Sequence, residues 1–290
     1  MTHQRGLGTP GFGADSTARA RVGDAWDSAL SYEEFAAVKG VGFDPVGQVL
    51  GTAVFDIGYS GTLVCPGAWS VPEGAKTPSS PWTSTLAQSV RTLYAARGLA
   101  LSRAVAECAS LGGDGIVGVE LDVGEFPGGG TEFTVRATAV RARSRVRPHR
   151  PFTSHLSGQD FARLVHAGWI PTGLAFGIAL VTRHDDWRDS RRIPWTAGNQ
   201  EVDGHTRLLT HARRDARERL ALEAAKNGGD GVVVDEVGSS VSESECFSFG
   251  HARDLTAEAV FVGTSVIRFG RTAPPVGTGP LTIMRLERER

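Results

Sequence analysis

The chain has 290 residues, 40% of them apolar, enough to bury one large core or two smaller ones, and its length favours two domains. Its 31 lysines and arginines nearly balance 32 aspartates and glutamates, which excludes the global basic field that nonspecific nucleic-acid binding relies on. Three widely spaced cysteines, Cys65, Cys108 and Cys246, form no CxxC pair; they argue against a disulfide scaffold and for a reducing, cytoplasmic compartment.

Residues 1–30 lack the continuous apolar core of a signal peptide, and their Gly, Ser, Ala and Arg content predicts a flexible tail. Ser31-Tyr32-Glu33-Glu34 has the form of a capping box and predicts a short helix to about Lys39, with Phe35 and Val38 on its apolar face. Gly40 and Gly42 end it, and a strand follows over 43–57. The Pro, Gly, Ser and Thr of 65–81 predict a loop. A long amphipathic helix over 84–111 is marked by Leu86, Val90, Leu93, Leu101, Val105 and Cys108. It stops at Gly112-Gly113, and strands over 116–123 and 132–143 form a hairpin through Pro127-Gly128-Gly129-Gly130.

The pattern then recurs. After a linker over 144–156, Phe161, Gly168, Pro171, Gly173 and Gly177 repeat Phe35, Gly42, Pro45, Gly47 and Gly51, each 126 residues on. The second long helix, 206–227, repeats the first at a spacing of 116: Arg97 matches Arg213, Arg103 matches Arg219, and Glu107 matches Glu223. The same spacing pairs Gly112-Gly113-Asp114-Gly115 with Gly228-Gly229-Asp230-Gly231. Strands over 232–237 and 257–269 follow, separated by an insertion over 238–254, and residues after 270 read as an irregular tail. The apolar run 169–182 is too short for a bilayer core of about 30 Å and contains Pro171 and two glycines, so no membrane span is expected.

These elements predict an α+β fold built by tandem duplication, repeats at 31–143 and 157–269, each with one long helix on a small, mostly antiparallel sheet. A sheet this small leaves a face or edge needing cover, which pairing with another copy, within or between chains, would supply.

The A-R-x-x-A-x-x-R helix (Ala96-Arg97 to Arg103, and Ala212-Arg213 to Arg219), the Gly-Asp-Gly stop before a valine-rich strand, and the closing strands Ala137-Thr138-Ala139-Val140 and Gly263-Thr264-Ser265-Val266 resemble the YbjQ-like (dodecin-like) family, labelled heavy-metal-binding domains. The resemblance covers both repeats. It implies a small α+β unit that assembles through its sheets into rings, typically pentameric, and it brings no established reaction. The first repeat holds no histidine between Ser31 and Arg143, which departs from a metal site common to both copies.

The GGDG stretches lack the Glu-Phe of the nucleotide-cyclase signature and read as helix cap and turn. Gly6-Leu7-Gly8-Thr9-Pro10-Gly11 fits a dinucleotide fingerprint as text, but it follows no strand and contains proline. The second repeat carries the dense supply of metal-ligand residue types: His205 and His211 near the helix start, and Cys246 and His251 in the insertion with Glu243 and Glu245. His211, Cys246 and His251 would form a zinc or other divalent-metal site if the insertion folded over the helix start. The arginines at 213, 214, 217 and 219 read as solvated or paired with Asp215, Glu218 and Glu223. No catalytic triad or nucleophile elbow recurs. The expectation is a noncatalytic cytoplasmic homo-oligomeric ring or assembly module that takes a small ligand or protein partner at repeat interfaces, with no nucleic acid; the alternative is a metal-binding protein that uses the second repeat.

Overall fold

The computed structural model describes residues 29–57, 83–145, 147–185, 201, 203–245, 253–269 and 283–285. The expected loop over 65–81 and residues 1–28 of the tail expected over 1–30 lie outside them, whereas Ala29 and Leu30 join the fold, the Ala29 amide donating to Thr138 Oγ1 at 3.2 Å and Leu30 packing on the core around Phe161.

In chain order the elements are α1 (Tyr32–Gly40), β1 (Phe43–Phe55), α2 (Thr83–Ser110), β2 (Gly115–Glu125), β3 (Thr131–Ala142) and β4 (Phe152–Thr153). Then come α3 (Gly158–His166), β5 (Trp169–Asp185), α4 (Asp203–Lys226), β6 (Gly231–Glu245), β7 (Arg253–Arg268) and β8 (Ile283–Arg285). Two four-stranded sheets result, β1-β3-β2-β4 and β5-β7-β6-β8. Their registers correspond row by row: Leu50 lies opposite Arg136, and Phe176 opposite Val262. Both edge strands slip register at the same place, between Pro45 and Gly47 and between Pro171 and Gly173.

Local chemistry explains the element ends. Ser31 Oγ accepts from the Glu34 amide at 3.3 Å while Glu34 accepts from the Ser31 amide at 2.8 Å, closing the capping box of α1. Ser157 caps α3 in the same way through the Asp160 amide at 3.1 Å. The long helices end on Gly112 and Gly228, at φ +71° and +75°, a left-handed conformation that glycine adopts without penalty. Each following aspartate clips the outgoing strand: the Asp114 carboxylate accepts from the Ala142 amide at 2.8 Å, and Asp230 from the Arg268 amide at 3.4 Å.

Val90, Leu93 and Cys108 of the expected stripe on α2 are buried, and alanines complete the buried side. Ala96, Ala100, Ala104 and Cys108 are fully buried, while Leu101 and Val105 flank them and are partly buried. In α4 the buried row is Leu208, Ala212, Ala216, Leu220 and Ala224. Small residues in these rows let each helix lie close on its edge strand.

Three further segments depart from expectation. The stretch expected as a linker contributes β4, which runs parallel to β2 with Phe152 opposite Gly115, and the Ser154 amide continues the pairing by donating to the Ile116 carbonyl at 3.0 Å. The insertion at 238–254 is largely an extension of the β6–β7 hairpin, paired from Gly238 opposite Val260 to Glu245 opposite Arg253. Its serines hide the strand from hydrophobic periodicity, but the backbone ladder needs no apolar side chains. Within the stretch expected as an irregular tail, β8 pairs with β6.

The two sheets meet through unlike surfaces. Leu174, Phe176, Ile178 and Val262, on the side of the second sheet away from α4, join the core formed by α2 with Phe133 and Val135. At one end α1 and α3 pack together over Val117, Val140, Val233 and Val266, with Phe161 edge-on to Phe43 at 5.1 Å and stacked on Phe152 at 5.7 Å.

Candidate functional site

The seam between the two halves holds a network of buried hydroxyl and imidazole groups. A fully buried threonine occupies the same register position in both sheets, Thr138 in β3 and Thr264 in β7. Thr138 Oγ1 accepts from the Ala29 amide at 3.2 Å. Thr264 Oγ1 accepts from the His155 amide at 3.1 Å and also lies 2.8 Å from His155 Nδ1 and 3.2 Å from Ser154 Oγ. A hydroxyl has one proton and two lone pairs. Satisfying all three contacts therefore has Thr264 accept from the His155 amide, donate its one proton to either His155 Nδ1 or Ser154 Oγ, and accept from the other. Ser154 Oγ in turn accepts from the Leu156 amide at 3.2 Å.

Burial lowers the His155 pKa from its ordinary 6.5, opposed by the charges of Asp235 and Asp160. The ring borders a cavity of about 440 Å³ with Leu30, Asp122, Leu174, Asp235 and Val262 on its walls. Its threonine partner is fully committed to this network, so the arrangement holds the seam together and offers no activated nucleophile.

A second contact across the seam is made by Tyr94 of α2. Its hydroxyl donates to the Phe176 carbonyl at 3.1 Å and accepts from the Ile178 amide at 3.0 Å, closing the free edge of β5. Thr153 Oγ1 takes the Leu174 amide of the same edge at 2.6 Å. Burial raises the Tyr94 pKa, so the phenol stays protonated and can serve as donor and acceptor at once. Neither Tyr94 nor His155 was singled out from sequence. The signal available was their difference from the matching positions, Thr210 and Ala29.

Of the expected metal residues, His211 lies on α4 with Nδ1 3.0 Å from Arg214 Nη2 and Nε2 3.8 Å from Asp215. Both ring nitrogens thus face partners on their own helix. Cys246 and His251 lie outside the described residues, in the stretch between β6 and β7. Among the described residues no group of three or more His, Cys, Asp or Glu is placed to hold a metal ion. The Cys108 thiol is buried against the Gly115 carbonyl at 3.3 Å, and burial pushes its pKa up to about 11, which leaves it a poor nucleophile. Arg214 pairs with Asp215 and Glu218. Among the described residues no helix is long and apolar enough to cross a membrane.

No known family model matches the sequence, and no solved structure matches it. The chain is 31% identical over 238 residues to an encapsulin nanocompartment protein of Mycobacterium tuberculosis, an alignment covering 76% of this chain and 81% of that protein. This corrects the resemblance to the YbjQ-like family, since the relative that spans most of the chain bears another identity. The physical reason lies in the motifs that carried it. The glycine stop, the aspartate clip and the alanine ridge serve helix capping and close helix–sheet packing, so they recur wherever that geometry does and do not mark one family.

Proposed function

The chain belongs to the family of the encapsulin nanocompartment protein of Mycobacterium tuberculosis, and from that premise we propose that it is a noncatalytic structural component of a protein nanocompartment, assembling with copies of itself. The observation that carries this reading is the relative's alignment across most of both chains. The residues common to the two halves support it, because Gly51 and Gly177, Thr138 and Thr264, and Asp114 and Asp230 all pack or clip the fold. The same reading takes the halves as products of a tandem duplication, supported by the row-by-row correspondence of the two sheet registers.

Native mass measurement together with negative-stain imaging of the purified chain tests the proposal. Assemblies at multiples of the 30.7 kDa chain mass are expected. A single-chain species throughout the accessible concentration range would overturn it.

A further inference from the structure

Within the chain, one half presents the sheet side that the other half covers, and on the matching side of the first sheet Leu50 and Val54 stand exposed. The rows of the second sheet's covered side are Phe176 opposite Val262, Ile178 opposite Val260, and Leu180 opposite Glu258. They pack on α2 and Phe133, and Tyr94 seals the strand edge. The corresponding rows of the first sheet are Leu50 opposite Arg136 and Glu120, Thr52 opposite Thr134 and Asp122, and Val54 opposite Glu132. Leu50 and Val54 are 52% and 43% exposed. Among the described residues, the edge of β1 is held by charged side chains of its own helix, Glu107 accepting from the Leu50 amide at 2.7 Å and Arg103 donating to the Thr52 carbonyl.

The counterpart of the covering surface is equally open. Thr210, Arg213 and Arg217 of α4 stand where Tyr94, Arg97 and Leu101 stand in α2, and all three are exposed, whereas Arg97 is buried. The two open surfaces differ in charge. The sheet side carries Glu120, Asp122 and Glu132 against one arginine, Arg136, which already pairs with Asp122 at 2.8 Å. The helix side carries arginines.

We propose that copies of this chain associate head to tail, the outer side of the first sheet of one chain, around Leu50, Val54 and Asp122, seating Thr210, Arg213 and Arg217 of the next chain's α4. The contact repeats between chains the one made within a chain, with ion pairs where the internal seam has phenylalanine, isoleucine and valine. Such an interface joins two different surfaces, so it propagates from chain to chain and closes into a ring or continues as a filament. It rests on the self-assembly reading above and adds the surfaces and their polarity. Because the paired charges are exposed, salt screens the contact.

The test uses the full chain with two variants, each blocking one surface without creating charges that attract the other's blocked surface: Leu50→Arg with Asp122→Arg, and Arg213→Ala with Arg217→Ala. All four positions are exposed, and unchanged thermal melts confirm folding. Wild type is expected to assemble at low salt and to dissociate between about 0.05 M and about 0.5 M salt. Each variant alone is expected to stay a single chain at roughly tenfold higher concentration. Mixed, they retain one intact surface each and should form pairs of two chains and nothing larger, while wild type grows beyond two chains, an outcome that a closed two-fold interface cannot give. Assembly of wild type with variants that assemble equally well, or variants that fail to pair on mixing, would overturn the head-to-tail contact and leave the self-assembly reading standing. A wild type that never assembles would overturn both.

Discussion

Gly51 of β1 lies directly beneath Ala100 of α2: a Cβ there would collide with the Ala100 carbonyl oxygen and stand 2.6 Å from the Ala104 amide nitrogen. Gly177 and Ala216 repeat the relationship, with the Leu220 Cβ 2.8 Å away. The obstacle is helix backbone, which cannot turn aside. Gly51→Ala and Gly177→Ala should each therefore destabilise the fold by about 1–3 kcal/mol, read as a lower urea midpoint. Gly98, exposed in the middle of α2 with nothing near its absent side chain, supplies the contrast. Gly98→Ala should stabilise by about 0.5–1 kcal/mol.

Removing one oxygen tests the seam. In Tyr94→Phe the ring still fills its place, but the Phe176 carbonyl and the Ile178 amide lose their shared partner. A loss of about 1–3 kcal/mol is expected, with faster hydrogen exchange at Ile178 as the local signature. Unchanged exchange there would show that the edge is closed by something else.

The two aspartates of the GGDG stretches should behave differently despite their identical motifs. Asp114 is buried and holds the Ala142 amide at 2.8 Å and Arg147 at 3.2 Å, whereas Asp230 is exposed and makes a 3.4 Å contact with the Arg268 amide. Asp114→Ala should cost about 1–3 kcal/mol and Asp230→Ala about 0.5 kcal/mol or less, measured by denaturant unfolding.

Acid should loosen the molecule through His155. Folding depresses its pKa below the ordinary 6.5, so as pH falls the unfolded chain takes up the proton first. Its contribution is complete above about pH 6.5 and declines below that, down to the folded-state pKa. In urea titrations at neutral and mildly acid pH, His155→Gln should flatten part of the wild-type decline. An identical slope in the variant would remove His155 from the account.

Several features could be read from residues alone because their causes are local. Ser31 and Glu34 cap α1 with atoms three residues apart, and Gly112 stops α2 because the left-handed turn there demands it. The alanine ridge was less legible: Ala100 is buried because Gly51, far away in sequence, leaves room for it. The extension of β6 to Glu245 was hidden since its serines and glutamates carry no periodic apolar signal, and only pairing with β7 makes it a strand.

The repeated order of helices and strands, their caps and their stops are legible in the residues because each is set by interactions within a few positions. Which surfaces meet is settled by packing between distant segments. The outer side of the second sheet is covered by α2 and Tyr94, while the matching side of the first stands open around Leu50 and Asp122. The two sides have the same backbone register and differ in partner. A partner is chosen by long-range packing of apolar area, and no local spacing records that.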